Sequence, residues 1–236
     1  MTLLIDRIQA LCFDIDGTIS DTDDAYVQKV SRWLRPGRFL LPTRDENRLA
    51  RRMVMALETP GNLFHSFSDR LGLDGVLARW NDRLIKVGWQ WWENKTILMP
   101  GVRELLSELH PRYSMAVVSA RGERTVLAFL EQHELIQFFQ VIVSGQSVRH
   151  TKPFPDPILF AAQGMHVQPE ACLMIGDTTV DILAGKAAGA QTVGVLCGFG
   201  EREELQRVGA DLILNHTYEL NNVLYGFVTP PYKTDK

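Results

Sequence analysis

Six polar residues follow apolar runs or sit in loops where a buried strand would hand over to the surface. They are Asp14 and Asp16 after the run 8–13, Ser119 at the end of 113–119, Lys152 in a loop, and Asp177 with Asp181 after 172–175. Carboxylates in such places are costly unless they are paired or hold a cation. Four of them against a single lysine leave an excess of negative charge, which implies a divalent cation. An all-oxygen set suits a hard ion, and Mg2+ in particular takes a few carboxylates together with waters and a phosphate of a substrate. Histidine and cysteine are missing from the set, which argues against zinc.

Positioning these residues takes a particular scaffold. The run 8–13 ends in acidic and glycine punctuation, as a buried parallel strand does when it feeds a loop. From about residue 100 helices and strands alternate. Helix 101–110 is followed by strand 113–119, helix 123–133, strand 140–144, helix 157–165 behind an Asp156-Pro157 cap, and strand 172–175. The series then runs through a helix ending at Gly189, strand 192–196, helix 201–208 and strand 211–214. Alternation with short connections predicts an α/β fold with a doubly wound parallel sheet, whose ligand site lies at the carboxyl ends of the strands. All the residues above then fall on one edge of the sheet.

Between these parts the pattern is different. Residues 21–94 read as helical throughout, with breaks at 35–37, 59–61 and 72–75, so a bundle of about four helices is inserted in the α/β series. Thr43 with Glu46 makes a capping box for one of them. The expected division is a core of residues 1–19 and 96–236 and an insert of 20–95. The tail after Phe227 is expected to be loosely held.

Composition narrows the function classes. The chain has 236 residues, 45% hydrophobic and 22% charged, which is the composition of a globular protein and not of a disordered or coiled-coil one. Its 25 basic residues against 28 acidic ones give a net charge of -3, so no nucleic-acid partner is expected. Cys12, Cys172 and Cys197 are odd in number and far apart, which supports neither a disulfide framework nor a CxxC metal site and suggests a reducing cytoplasmic setting. No apolar run is long enough to span a bilayer, so no membrane anchor is expected.

Taken together, the motifs resemble those of the haloacid dehalogenase superfamily, and within it the phosphatases similar to phosphoglycolate phosphatase. Asp14-Ile15-Asp16-Gly17-Thr18 matches the DxDGT motif, and Ser119 ends the strand that carries the second motif. Lys152-Pro153 matches the third, and Gly176-Asp177-Thr178-Thr179-Val180-Asp181 matches GDxxxD. The stretch 184–190 and Gly198-Phe199-Gly200 are similar to the same branch. The resemblance implies a parallel core with a helical cap domain, and an enzyme that hydrolyses a small phosphomonoester. In that reading Asp14 is the nucleophile that forms an aspartyl-phosphate, and Asp16 is the acid and then the base. Ser119, the amide of Ala120, and Lys152 bind phosphate oxygens. Mg2+ is held by Asp14, the Asp16 carbonyl and Asp177, while Asp181 orients the metal's waters or pairs with Lys152.

Retention of Asp16 favours phosphoester chemistry over cleavage of carbon-halogen or carbon-phosphorus bonds. Sugar-phosphate phosphomutases keep the same acid and are the alternative enzyme reading. A weakly active regulatory or substrate-binding protein is a further alternative, against which the complete set Asp14, Asp16 and Asp177 argues. 2-Phosphoglycolate leads among substrates by resemblance alone. Ser119 is followed by Ala120-Arg121, where the branch usually has Asn or another polar residue, and Arg121 is either a substitute contact or a solvated arginine at a helix start. Trp33, Trp80, Trp89, Trp91 and Trp92 read as packing residues of the insert. Its basic stretch, eight Lys and Arg against Asp45 and Glu46 in 29–52, reads mainly as a solvated face that could also steer an anion. Oligomeric state is not legible.

Overall fold

A computed structural model of the chain describes residues 3–21 and 97–226. The chain divides into two compact units, residues 1–21 with 97–236 and residues 22–96. The described residues belong to the first. The expected four-helix insert, the Thr43 capping box, the five tryptophans, the basic stretch and the tail after Phe227 lie outside them.

In chain order the strands are β1 (Ala10–Phe13), β2 (Ser20–Asp21), β3 (Ile97–Leu98), β4 (Ser114–Val118), β5 (Val141–Val143), β6 (Cys172–Gly176), β7 (Gln191–Val195) and β8 (Leu212–Leu214). The helices are α1 (Val102–Leu109), α2 (Glu123–Gln132), α3 (Asp156–Gly164), α4 (Thr179–Ala188), α5 (Arg202–Arg207) and α6 (Leu220–Tyr225). Six strands form one parallel sheet in the order β5-β4-β1-β6-β7-β8. The expected doubly wound sheet is therefore present. The series winds outward from β1 through β4 to β5, then restarts on the other side of β1 with β6. The point where the order reverses is thus the carboxyl end of β1, where open α/β sheets bind ligands.

Period-2 alternation divides the sheet residues between two cores. Leu11, Phe13, Met115, Val117, Leu173, Ile175, Val193 and Val195 face one way, against a stripe on α1 of Val102, Leu105, Leu106 and Leu109 together with residues of α2 and α6. That i, i+3, i+4, i+7 spacing is what one apolar helix face requires. Each fully buried leucine contributes about 1.5–3 kcal/mol. The opposite face is built of smaller residues, Ala10, Cys12, Ala116 and Cys172, against Ala161 and Ala162 of α3 and Ala184 of α4. All three cysteines are free thiols.

Most elements fall within a residue or two of their expected bounds. One local expectation is corrected: Pro155, not Asp156, caps α3, and Asp156 occupies its first turn. A proline fits the first turn because its fixed φ is already helical and its missing N–H is not needed there, so Pro157 draws Asp156 into the helix. The Asp156 carboxylate instead meets His150 Nδ1 at 2.9 Å. The sequence reading had no place for α6 or for the antiparallel pair β2–β3, which joins Ser20 to Leu98 and Asp21 to Ile97. Two-residue strands are too short to show a period. Among the described residues no helix is long and apolar enough to cross a membrane.

Candidate active site

The sheet register places the site residues. Phe13 of β1 lies opposite Val117 of β4 and Ile175 of β6, so Asp14, Ser119 and Asp177 emerge within one residue of the same level. The ladder runs on past the strand ends, since Asp14 N–H donates to Ile175 O and Ser119 N–H to Val143 O, both at 2.9 Å. The chain then turns tightly, with the amides of Ile19 and Ser20 both donating to the Ile15 carbonyl at 3.0 and 2.8 Å.

Lys152 reaches this edge from the loop before α3. Its Nζ donates to Asp14 Oδ1 at 2.7 Å, to Asp181 Oδ1 at 2.6 Å and to the Val118 carbonyl at 3.1 Å. Those contacts use all three ammonium protons. All three charged side chains are at least nine-tenths buried. Asp181 is held from its other side, its Oδ2 accepting the Thr178 amide at 3.0 Å and the Thr178 hydroxyl at 2.6 Å. Asp181 therefore pairs with Lys152 and caps α4 at once. The pairing was one of two roles that the sequence left open for it.

Asp177 is fixed by backbone. Its Oδ2 accepts the Phe199 amide at 2.8 Å. Two glycines let the chain pass this close. A Cβ on Gly17, whose φ is +69°, would stand 2.3 Å from Asp177 Oδ2, and a Cβ on Gly198 would stand 2.1 Å from it. The sequence had marked 198–200 only as a likeness, and nothing in the spacing identified it as the seat of Asp177.

Carboxylates outnumber cations here. Burial, the largest influence, raises the Asp14 carboxyl to about 7, with Lys152 opposing it and the charges of Asp181 and Asp16 reinforcing it. Burial also works against charge on Lys152, but Asp14 and Asp181 more than reverse this, so the lysine stays cationic. One oxygen each from Asp14, Asp177 and Asp181 lie within 4.8 Å of one another. With Asp181 engaged by Lys152 and Thr178, the donor set that remains for a cation is oxygen only, which fits Mg2+ and not a softer metal.

Asp16 and Arg121 supply the least expected contact. The guanidinium grips the carboxylate in a fork, Nε donating to Oδ2 at 2.7 Å and Nη2 to Oδ1. Arg121 is not a solvated helix-start residue, since its side chain is only 14% exposed. Ser119 Oγ accepts the Arg121 amide at 3.1 Å, which leaves its hydroxyl proton to donate elsewhere. Ala120 is exposed, and among the described residues its N–H meets no acceptor. Every candidate side chain named from the sequence thus comes to one end of β1, β4 and β6.

Residues 11–195 match the family model of the haloacid dehalogenase-like hydrolases, and the chain belongs to that family. It is similar to a phosphoglycolate phosphatase of Pseudomonas putida, 28% identical over 92% of this chain and 79% of that one. A solved hydrolase of Pseudomonas syringae superposes with a TM-score of 0.63 at 25% identity, covering 94% of this chain and 100% of that one. A protein of Thermotoga maritima provisionally named a beta-phosphoglucomutase shares the fold, with a TM-score of 0.62 at 22% identity over 94% of this chain and 100% of that one.

Proposed function

From membership of the haloacid dehalogenase-like hydrolases we propose that this chain is a Mg2+-dependent phosphatase of small phosphomonoesters, working through an aspartyl-phosphate on Asp14. The observation that carries the reading is the buried Asp14 carboxylate, tied by one oxygen to Lys152 at 2.7 Å and drawn towards neutrality at the topological switch point of the sheet. Its Oδ2 accepts no hydrogen bond among the described residues. That oxygen attacks phosphorus, and the bond from phosphorus to the ester oxygen breaks. Asp16 gives its proton to the departing oxygen, which leaves as the alcohol. The Asp16 carboxylate then takes a proton from water, the water oxygen attacks phosphorus, and the bond to Asp14 breaks to release phosphate.

Lys152, the Ser119 hydroxyl and the Ala120 amide hold the non-bridging oxygens of the phosphoryl group as charge spreads over them. A bound Mg2+ would sit on Asp14, the Asp16 carbonyl and Asp177, where it would offset the charge of the phosphate and favour the ionised nucleophile. Asp181 is a positioning residue, because it aims Lys152. The insert 20–95 is read as the cap that admits substrate and excludes bulk water. Relatives named phosphoglycolate phosphatase make a phosphorylated hydroxy acid the first substrate to try.

The test is phosphate release from a panel of phosphomonoesters, with and without Mg2+, by the native protein and by Asp14→Asn. Metal-dependent release that falls to background in the variant, a loss of at least about a thousandfold, supports the reading. Transfer of the phosphoryl group to a second sugar hydroxyl instead of to water would reassign the chain as a phosphomutase. Ester binding without turnover would make it a binding protein.

A further inference from the structure

Both oxygens of the Asp16 carboxylate receive N–H bonds from Arg121. A carboxyl group that is to act on a leaving oxygen must turn one of its own oxygens towards it, and a bidentate guanidinium fork holds both oxygens in place. The arrangement is also built into the fold. The Arg121 amide is fixed on Ser119 Oγ at 3.1 Å, its carbonyl accepts the Gly145 amide at 2.9 Å, and its guanidinium lies 5.8 Å from the centre of the Phe129 ring. Lys152 stands on the other carboxylate, its ammonium meeting Asp14, Asp181 and the Val118 carbonyl.

We propose that Arg121 is a gate on Asp16. In this structure it clasps the acid. An anionic group on the alcohol half of the substrate takes over the guanidinium, and Asp16 is released to act on the leaving oxygen of that same substrate. The side of the phosphorus matters to the argument: Asp16 works on the leaving group, so a cation clasped to Asp16 stands at the leaving-group side, while Lys152 on Asp14 stands at the phosphoryl side. The substrate class that opens the gate is a phosphomonoester whose alcohol carries its own carboxylate or second phosphate. Arg121 is a substrate-binding residue in this scheme, and the proposal rests on the phosphatase reading above.

The experiment compares steady-state phosphate release from 2-phosphoglycolate and from ethyl phosphate, a matched ester with no second charge, for the native protein, Arg121→Ala and Arg121→Gln, all with Mg2+. Truncating one partner of a close charge pair costs enough that the kcat/KM preference for the charged ester is expected to fall by about tenfold or more in both variants. Most of that loss is expected in a raised KM for 2-phosphoglycolate, while kcat for ethyl phosphate rises because Asp16 is no longer clasped. A purely structural role would slow both esters alike and keep the preference, and that result overturns the gate. The glutamine variant, which keeps more of the side chain's volume and its polarity without the charge, keeps the test readable if the alanine variant does not fold. A native protein that releases phosphate from no ester at all sinks the phosphatase reading itself, and the gate with it.

Discussion

Helix α4 carries a lysine-aspartate cluster at each end, and the two differ in one respect. In its first turn Asp181 joins Asp14 around Lys152, with Asp177 nearby. In its last turn Lys186 meets Asp211 Oδ1 at 2.6 Å, and Asp211 Oδ2 accepts both the amide and the hydroxyl of Thr192, at 2.9 and 3.0 Å. The second cluster has one acid and three donors. Burial pushes Asp211 up, but Lys186 and Thr192 outweigh it and hold its carboxyl below the usual range. In the first cluster burial raises Asp14 to about 7, Lys152 opposes this only in part, and the charges of Asp181 and Asp16 add to the rise, so the acids exceed what the one lysine can satisfy. A lysine-aspartate pair is therefore no mark of function in itself, and the ratio of acids to donors is what separates a site that needs a further cation from one that is complete.

The largest effect that would separate the clusters comes from Asp14→Asn. Besides losing turnover, the metal-free variant should melt at a higher temperature than the native protein near pH 7. The sign follows from linkage. A carboxyl raised in the folded state stabilises it below its ordinary value near 4 and loses that contribution as pH rises towards 7. Thermal melts from pH 4 to 8 should therefore show the gap opening as pH rises, and a variant less stable than the native protein at pH 7 would contradict the comparison.

Gly198→Ala should act next most strongly, through Asp177. The new methyl group would stand 2.1 Å from Asp177 Oδ2 and force the carboxylate off the Phe199 amide. Titrating activity with Mg2+ should show about ten times more metal needed for half-saturation, as for other residues that aim a ligand. An unchanged Mg2+ requirement would remove Asp177 from the metal set.

Asp211→Asn should have the smallest effect and leave turnover intact. Losing the charged partner of Lys186 costs about 1 kcal/mol, or about 2–4 °C in melting temperature for a domain of this size. Because the folded-state carboxyl is held low, its contribution is full above the ordinary value near 4 and is lost as pH falls, so melts of the two proteins should converge in acid. A drop in kcat would mean that the far end of α4 is coupled to the site after all.

The sequence was most informative where a period or a motif repeats. The apolar run ahead of Asp14 and the helix-strand alternation after residue 100 located the sheet, and with it the edge on which Asp14, Ser119 and Asp177 meet. The contacts that tune the site were not legible, because they join segments far apart in sequence or use local geometry that residue type does not single out. Arg121 reaches Asp16 across 105 residues, and Thr178 captures Asp181 through a local cap that looks like any helix start. The Phe199 amide on Asp177 belongs to the backbone, which leaves no trace in residue type. For Arg121 a signal did exist, since it stands where the related motif carries a different polar residue, but a lone arginine gives no hint of its partner.

The short pair β2–β3 also defines how the chain could be taken apart. Asp21 and Ile97 are partners in register, so the chain leaves the α/β unit and returns to it at adjacent positions on one antiparallel ribbon. Antiparallel partners are what a tight turn of about two residues joins. The unit of residues 1–21 and 97–236 has, in effect, a ready-made splice point at which 22–96 can be exchanged for another segment or for a simple hairpin. Such a doorway lets one catalytic chassis be refitted with different inserts while its strand order and register stay as they are.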